Sequence, residues 1–176
     1  MPTYDSYTRT GAGNDSIGST RSSTNQQLDA GAGNDAVNGG KGDDRLIGGA
    51  GNDILNGGAG ADQFYFRGAD VGIGVTDTDR VTDLSFAEGD SFVFAGFGAG
   101  FFADDIGLNA YGSGANAIVS SFDGLKNLVA NSGNAITAIG GSGDLLILTI
   151  NYGDDQHQVI RISNGYNAYL NADGIL

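Results

Sequence analysis

A strict step of nine residues dominates the first third of this 176-residue chain. Ala30 to Asn38 reads AGAGNDAVN, Gly39 to Ile47 GGKGDDRLI, Gly48 to Asn56 GGAGNDILN and Gly57 to Tyr65 GGAGADQFY. Upstream, Thr10 to Gly18 reads TGAGNDSIG and fits the same frame, while Ser19 to Asp29 is a stretched unit that keeps only its apolar position at Leu28. Such a unit is too short to bury its own apolar face, so it must stack on its neighbours, and the period sets the architecture.

Each position type has one job. The sixth position is Asp15, Asp35, Asp44, Asp53 or Asp62, and the eighth is Ile17, Leu28, Val37, Leu46, Leu55 or Phe64. Glycine holds the second and fourth positions, as Gly11 and Gly13, Gly31 and Gly33, Gly40 and Gly42, Gly49 and Gly51, and Gly58 and Gly60. Glycine permits the positive φ of a tight turn and lets main-chain carbonyls approach an ion, and the short aspartate supplies the hard anionic oxygen that Ca²⁺ prefers. The last three residues of each unit are expected to form a short strand with the apolar side chain inward. These aspartates and glycines are the candidate metal-site residues.

Charge and energetics point the same way. Lys and Arg number 8 against 21 Asp and Glu, a formal charge of −13, and the acids are aspartates apart from Glu88. Self-repulsion at that level opposes compaction and repels nucleic acid and anionic membrane. One buried apolar side chain per unit contributes roughly 1.5–3 kcal/mol, whereas ordering a unit's backbone costs about 1–2 kcal/mol per residue. Burial alone therefore does not fold the array. A Ca²⁺ site with a dissociation constant near 0.1 mM, at about 1 mM free ion, adds roughly 1.4 kcal/mol, so a few sites approach the net stability of a domain.

The common alternative staples and an N-terminal export signal do not read in these residues, so any export is expected to use another signal. There is no cysteine, so disulfides and thiolate metal sites are excluded. Residues 1–20 carry no basic segment followed by an apolar one, and no run approaches the length of a membrane span. His157 is the single histidine, which excludes a histidine-rich zinc site.

The nine-step stops after Phe66, and the expected division is a roll over 1–66 and a β-rich cap over 67–176. Val81 to Leu84 and Ser91 to Phe94 read as short strands around the turn Ala87-Glu88-Gly89-Asp90. Phe122 to Asn131 reads as a helix capped by Ser121 or Asp123. Leu145 to Ile150 and Gln158 to Ile162 read as a hairpin, and a final extended segment carries Tyr166, Tyr169 and Leu170. Asp77, Asp79 and Asp83 form a candidate additional cation site, and the aromatic run Phe92, Phe94, Phe97, Phe101, Phe102 reads as core.

The repeats over residues 10 to 66 resemble the RTX (repeats-in-toxin) family, with its pattern G-G-x-G-x-D-x-apolar-x. That resemblance implies an all-β fold: a right-handed parallel β-roll followed by a β-rich C-terminal region with one helix. It implies that two units make one coil, so Asp35 pairs with Asp53, Asp44 with Asp62 and Asp15 with Asp35, with glycine carbonyls completing each shell. It implies about three to five Ca²⁺ ions. Gln26 stands where the stretched unit should carry Asp, so the site below Asp44 is left open. Asp79 to Phe86 followed by Glu88-Gly89-Asp90 resembles the segment after the roll in RTX exoproteins, with Asp79 and Asp83 as further candidate ligands. The chain end, Asn171 to Leu176, resembles their targeting region for a type I ABC-transporter channel. The implied setting is extracellular, after secretion from a Gram-negative bacterium, and the implied role is a non-catalytic module that folds on Ca²⁺ after export.

Two other functions compete. A polysaccharide-binding or adhesion module is one, by resemblance to RTX modules that accompany polysaccharide-modifying enzymes. An esterase-like hydrolase is the other, since Gly89-Asp90-Ser91 and the Asp154-x-x-His157 spacing are similar to blocks of GDSL-type hydrolases; no alternation of strands and helices supports it.

Overall fold

The computed structural model describes residues 3–68, 70–72, 74–95, 117–132, 136–153 and 155–171. In chain order the strands are β1 (Ser6–Arg9), β2 (Ser16–Gly18), β3 (Gln26–Ala32), β4 (Ala36–Lys41), β5 (Arg45–Ala50), β6 (Ile54–Ala59), β7 (Gln63–Arg67), β8 (Thr76–Val81), β9 (Ser91–Ala95) and β10 (Ala117–Val119). Helix α1 (Phe122–Asn131), strands β11 (Ile136–Gly140), β12 (Leu146–Gly153) and β13 (Gln156–Ile162), and helix α2 (Tyr166–Asn171) follow.

Alternate units feed alternate sheets. One sheet runs β1-β3-β5-β7-β9-β10, and the other runs β11-β12-β13-β8-β6-β4-β2. Pairing within the repeats is parallel: Ala36 faces Ile54, and Arg45 faces Gln63. Each unit therefore stacks on the unit two before it, as a two-unit coil demands. The inward apolar positions form two files, Ile17-Val37-Leu55-Val81 on one sheet and Leu28-Leu46-Phe64-Phe92 on the other. All eight are buried, and this file-to-file contact is what joins the sheets.

The strands are longer than the three residues expected. β4, β5 and β6 each span six residues, because the ladder continues through the paired glycines, with Gly40 opposite Gly58 and Gly31 opposite Gly49. The stacking is close. At Gly49, φ is +106° and a Cβ would run into the carbonyl of Gly31 on the coil below, so no other residue fits there without strain.

The parallel ladders outlast the nine-residue period. β8 and β9 add one further strand to each sheet, although neither follows a glycine-rich turn of the repeat type. They lie in different sheets and are not partners across the turn at Ala87–Asp90, and β8 covers Thr76–Val81 instead of the Val81–Leu84 expected. Phe64, Phe66, Phe92 and Phe94 interlock with centroids about 6 Å apart. Phe86 bridges this cluster to Phe122 of α1, at 4.8 Å edge to face. Phe97, Phe101 and Phe102 lie outside the described residues.

Helix α1 forms where the sequence places it, with the Ser121 side chain accepting from the Gly124 N–H and Leu125 and Leu128 buried. The hairpin β12–β13 is antiparallel, and β13 then pairs in parallel with β8, which joins the C-terminal sheet to the roll. Tyr166 to Asn171 is helical, not extended. Its start is held from a distance, by the Asp144 carboxylate accepting from the Asn167 N–H at 2.6 Å. Among the described residues, no helix is long and apolar enough to cross a membrane.

Candidate metal centre

The turns that precede the strands stack in two columns. The first carries Asp15, Asp35, Asp53 and Asp79 on successive rungs, and the second Gln26, Asp44, Asp62 and Asp90. Each carboxylate reaches down one rung. Asp35 Oδ1 accepts from the Asp15 N–H at 2.7 Å, Asp53 Oδ1 from Asp35 at 2.8 Å and Asp79 Oδ1 from Asp53 at 2.9 Å. In the second column the acceptors are Asp44 from Gln26 at 2.7 Å, Asp62 from Asp44 at 2.8 Å and Asp90 from Asp62 at 2.9 Å. The pairs Asp15/Asp35, Asp35/Asp53 and Asp44/Asp62 are thus brought together as the two-unit coil implies.

Position five provides a reciprocal clamp that the sequence reading missed. Asn34 Oδ1 accepts from the Asn52 N–H one rung above, Asn52 Oδ1 from Thr78, and Asp43 Oδ1 from Ala61. The legible signal was the recurrence of Asn or Asp just before the sixth-position aspartate. Position six ties each rung downward and position five ties it upward.

The second carboxylate oxygens are the unusual feature. Oδ2 of Asp35, Asp44, Asp53 and Asp62 is buried and accepts no hydrogen bond. In the last three of these units it lies over the first glycine of its own unit, Gly39, Gly48 and Gly57, where a Cβ would collide with it. A buried ionised oxygen without a partner costs several kcal/mol. Arginines do not answer it: among the described residues the ion pairs are Arg9 and Arg67 with Asp29, and Arg67 with Asp70.

Burial accordingly drives the carboxyls upward. Asp53 is pushed up to about 6 and Asp62 to about 7, in each case by desolvation first and neighbouring carboxylates second. Asp79 is raised well above the ordinary range, and Asp44, Asp77 and Asp90 are raised too, all chiefly by burial. Hard, buried, unpaired anionic oxygens beside close main-chain carbonyls fit a divalent cation of the Ca²⁺ class. No three acidic or histidine side chains converge among the described residues, so carbonyls must complete each shell. The glycines at positions two and four from Gly31 to Gly60 have positive φ, as does Gly13, whereas Gly11 does not, and its carbonyl already accepts from Ala32.

The upper and lower ends of the columns differ from the middle. Gln26 Nε2 donates to the Gly39 carbonyl at 2.7 Å, and the same amide lies close enough to Asp44 to favour its ionised form. Asp44 Oδ2 has no bond of acceptable geometry, so the amide stands beside it without satisfying it. At the top, Asp79 Oδ2 accepts from Gln158 Nε2 at 2.9 Å, and Asp90 Oδ2 accepts from the Ser85 N–H at 2.7 Å. Asp83 uses both oxygens on backbone, accepting from Gly57 at 2.9 Å and Gly58 at 2.7 Å. Asp77, Asp79 and Asp83 therefore do not form one site, and Asp83 acts as an N–H clamp. Asp90 went unread as a column member. Its signal was the aspartate two residues before an inward apolar residue, shared by Asp62-Gln63-Phe64, Asp79-Arg80-Val81 and Asp90-Ser91-Phe92.

The residues of the hydrolase alternative are kept apart. Ser91 is buried in β9, while His157 lies half-buried in the other sheet with Nδ1 2.5 Å from Asn151 Oδ1. Asp154 is outside the described residues.

Fold and site together define a calcium-binding parallel β-roll. Residues 27–65 match the family described as RTX calcium-binding nonapeptide repeat, in four copies, and this segment is an array of RTX repeats. Over its full length the chain is similar in fold to 85% of the AlgE6R3 subunit from the Azotobacter vinelandii mannuronan C5-epimerase, a solution structure, with a TM-score of 0.51 and 21% identity. That likeness concerns the fold alone. Comparison with curated protein sequences gives no match.

Proposed function

We propose that this chain is a non-catalytic module whose roll folds when Ca²⁺ enters the two columns, and that it serves as the folding and secretion domain of an extracellular protein exported by a type I ABC-transporter. The carrying observation is the set of buried Asp35, Asp53 and Asp62 Oδ2 atoms with no hydrogen-bond donor and no basic partner. Asp15, Asp35, Asp44, Asp53 and Asp62 would hold the ions, with carbonyls of the turn glycines. Bound Ca²⁺ supplies positive charge and oxygen coordination between rungs. The chain supplies the spacing: each Oδ1 fixes the rung below while Oδ2 is left to a cation. Low cytosolic Ca²⁺ would keep the chain unfolded for transit, and higher external Ca²⁺ would fold it outside.

Circular dichroism tests the folding step: β signal should be lost in chelator and return on titration to millimolar Ca²⁺. Equal order and heat resistance after exhaustive chelation would overturn it. For export, a passenger fused to the chain should leave cells that carry a type I transporter and stay inside cells that lack one.

A second reading, an acidic-polysaccharide module, is favoured by one observation. Arg80 and Arg161 are register partners on β8 and β13, both exposed, and flank a cleft of about 500 Å³ that also presents Ser142, Ser163 and Asn164. In a chain of net charge −13, two adjacent guanidiniums suit a carboxylated sugar. The structural neighbour comes from a mannuronan epimerase. Affinity electrophoresis in alginate should show retardation that is lost in the Arg80→Gln/Arg161→Gln variant; no retardation of the native protein ends this reading.

A further inference from the structure

The first column ends in a carboxylate that the repeat pattern does not include. Asp77 stands at the register of Gly51, a position-four glycine, because Ile54 faces Arg80 and Leu55 faces Val81. In β8 the residues Asp77, Asp79 and Val81 all face inward, so Asp77 and Asp79 lie side by side in the interior above the Gly48–Asp53 turn. Asp77 is 3% exposed. One of its oxygens takes the Gly51 N–H, and Oδ2 is buried and accepts nothing.

The two columns close differently. At the top of the second, Asp90 has both oxygens satisfied, by the N–H groups of Asp62 and Ser85. At the top of the first, Asp79 is also satisfied, by the Asp53 N–H and the Gln158 amide. Asp77 is the exception. Its charged neighbours are Asp53, Asp79 and Asp70, and the nearby Arg67 is committed to Asp70 at 2.7 Å and to Asp29. Gln158, a neutral amide, holds Asp79 in place on the β13 side and supplies no charge to the site.

We infer that Asp77 Oδ2 marks an additional divalent-cation site, outside the nine-residue repeats, between the Gly48–Asp53 turn and β8. It takes a hard, oxygen-seeking cation of the Ca²⁺ class, since the buried carboxylate oxygen stands among other carboxylates and meets no basic side chain in an ion pair among the described residues. The ion would lie at the seam where β8 joins the roll to the β12–β13 hairpin, so its binding couples the two. This rests on the proposal that the columns take Ca²⁺, and goes beyond it by adding a ligand the repeats lack.

The test is the number of Ca²⁺ ions per chain at saturation, by native mass spectrometry and calorimetric titration, for the native chain, Asp77→Asn, Asp77→Gly and Asp53→Asn. Asparagine keeps an oxygen for the Gly51 N–H, and glycine is the residue the repeats carry at this register. Both Asp77 variants should bind one ion fewer than the native chain, and Asp53→Asn should also lose one. If both Asp77 variants bind the native number while Asp53→Asn loses an ion, the Asp77 oxygen carries a proton and this site is overturned, with the repeat sites intact. If Asp53→Asn also binds the native number, the proposal beneath it falls.

Discussion

In metal-free protein, raising the pH from 4.5 to 8 is expected to destabilise the roll strongly. Asp53 titrates at about 6 and Asp62 at about 7, against an ordinary 3.8. Raised values mean that the folded state holds more protons than the unfolded chain between about pH 4 and 7, so stability falls as pH climbs through that window. The cost is absent below 3.8 and complete above the folded values. At roughly 1.4 kcal/mol per pH unit, ionising Asp53 inside the fold costs about 3 kcal/mol and Asp62 about 4 kcal/mol. The two side chains are 1% and 0% exposed, so solvent screens little of it.

That cost rivals the roughly 5–15 kcal/mol by which a whole domain is stable. With a urea dependence of about 2–3 kcal/mol per molar, that loss is worth roughly 2–3 M of urea, so metal-free protein with a finite unfolding midpoint at pH 4.5 should approach the unfolded signal even without urea by pH 8, in keeping with the loss of β signal in chelator. The assay is urea unfolding followed by circular dichroism in metal-stripped buffer, repeated in saturating Ca²⁺. With the ion present the trend should reverse, because protons then compete with Ca²⁺ for the same oxygens. A metal-free midpoint that stays level or rises from pH 4.5 to 8 would refute the claim that these carboxylates are buried against one another without compensation.

Other perturbations separate column from scaffold. Asp53→Ala should shift Ca²⁺-driven refolding to higher concentration, whereas Asp29→Ala should leave its Ca²⁺ dependence nearly unchanged and cost about 1 kcal/mol, because Asp29 lies outside the columns and pairs with the exposed Arg9 and with Arg67, which keeps Asp70; Ca²⁺ titration and melts in saturating Ca²⁺ check both variants, and an equal shift in Ca²⁺ dependence would mean a wrong register. Gly49→Ala should cost several kcal/mol and Gly13→Ala only about 1–2 kcal/mol, since both need positive φ but only Gly49 has a carbonyl where the Cβ must go; thermal melts in Ca²⁺ give the order. Gln26→Asp should add one bound ion, counted by calorimetry, by replacing the amide that donates to Gly39 with a carboxylate.

The middle of the roll was legible because every rung repeats the same three demands: a glycine where carbonyls approach, an aspartate that reaches down, and an apolar side chain in file. Phase marked the sixth-position aspartates and the eighth-position apolar residues, and the two-unit coil implied by the resemblance to RTX repeats put Asp35 over Asp15. It was less informative about extent, because the glycines between strands pair with each other as well as turning, which lengthens each strand into its neighbour. The last rungs were harder still. β8 and β9 have lost the glycines and kept only the aspartate two residues before the inward side chain, so a search for the whole unit stops at Phe66 while the ladder goes on to Ala95. Helix α2 is invisible locally for a different reason: its first turn is capped by Asp144, 23 residues away, and its Leu170 carbonyl accepts from Lys126 of α1.

The ends also show why an array of this kind needs terminators. Inside the columns each carboxylate has a rung below to bond and an ion's place beside it, so the pattern could continue indefinitely. Stopping it requires that the last oxygens be met by something other than another repeat. Ser85 and Gln158 meet those of Asp90 and Asp79 with N–H donors, and Gln26 brings an amide to the base of the second column. Neutral donors end the columns without adding charge, and none of them belongs to a complete unit. A nine-residue pattern therefore describes where the columns' own cations are wanted, while their ends are set by residues outside it: neutral donors at Asp79 and Asp90, and the one unpaired oxygen left at Asp77.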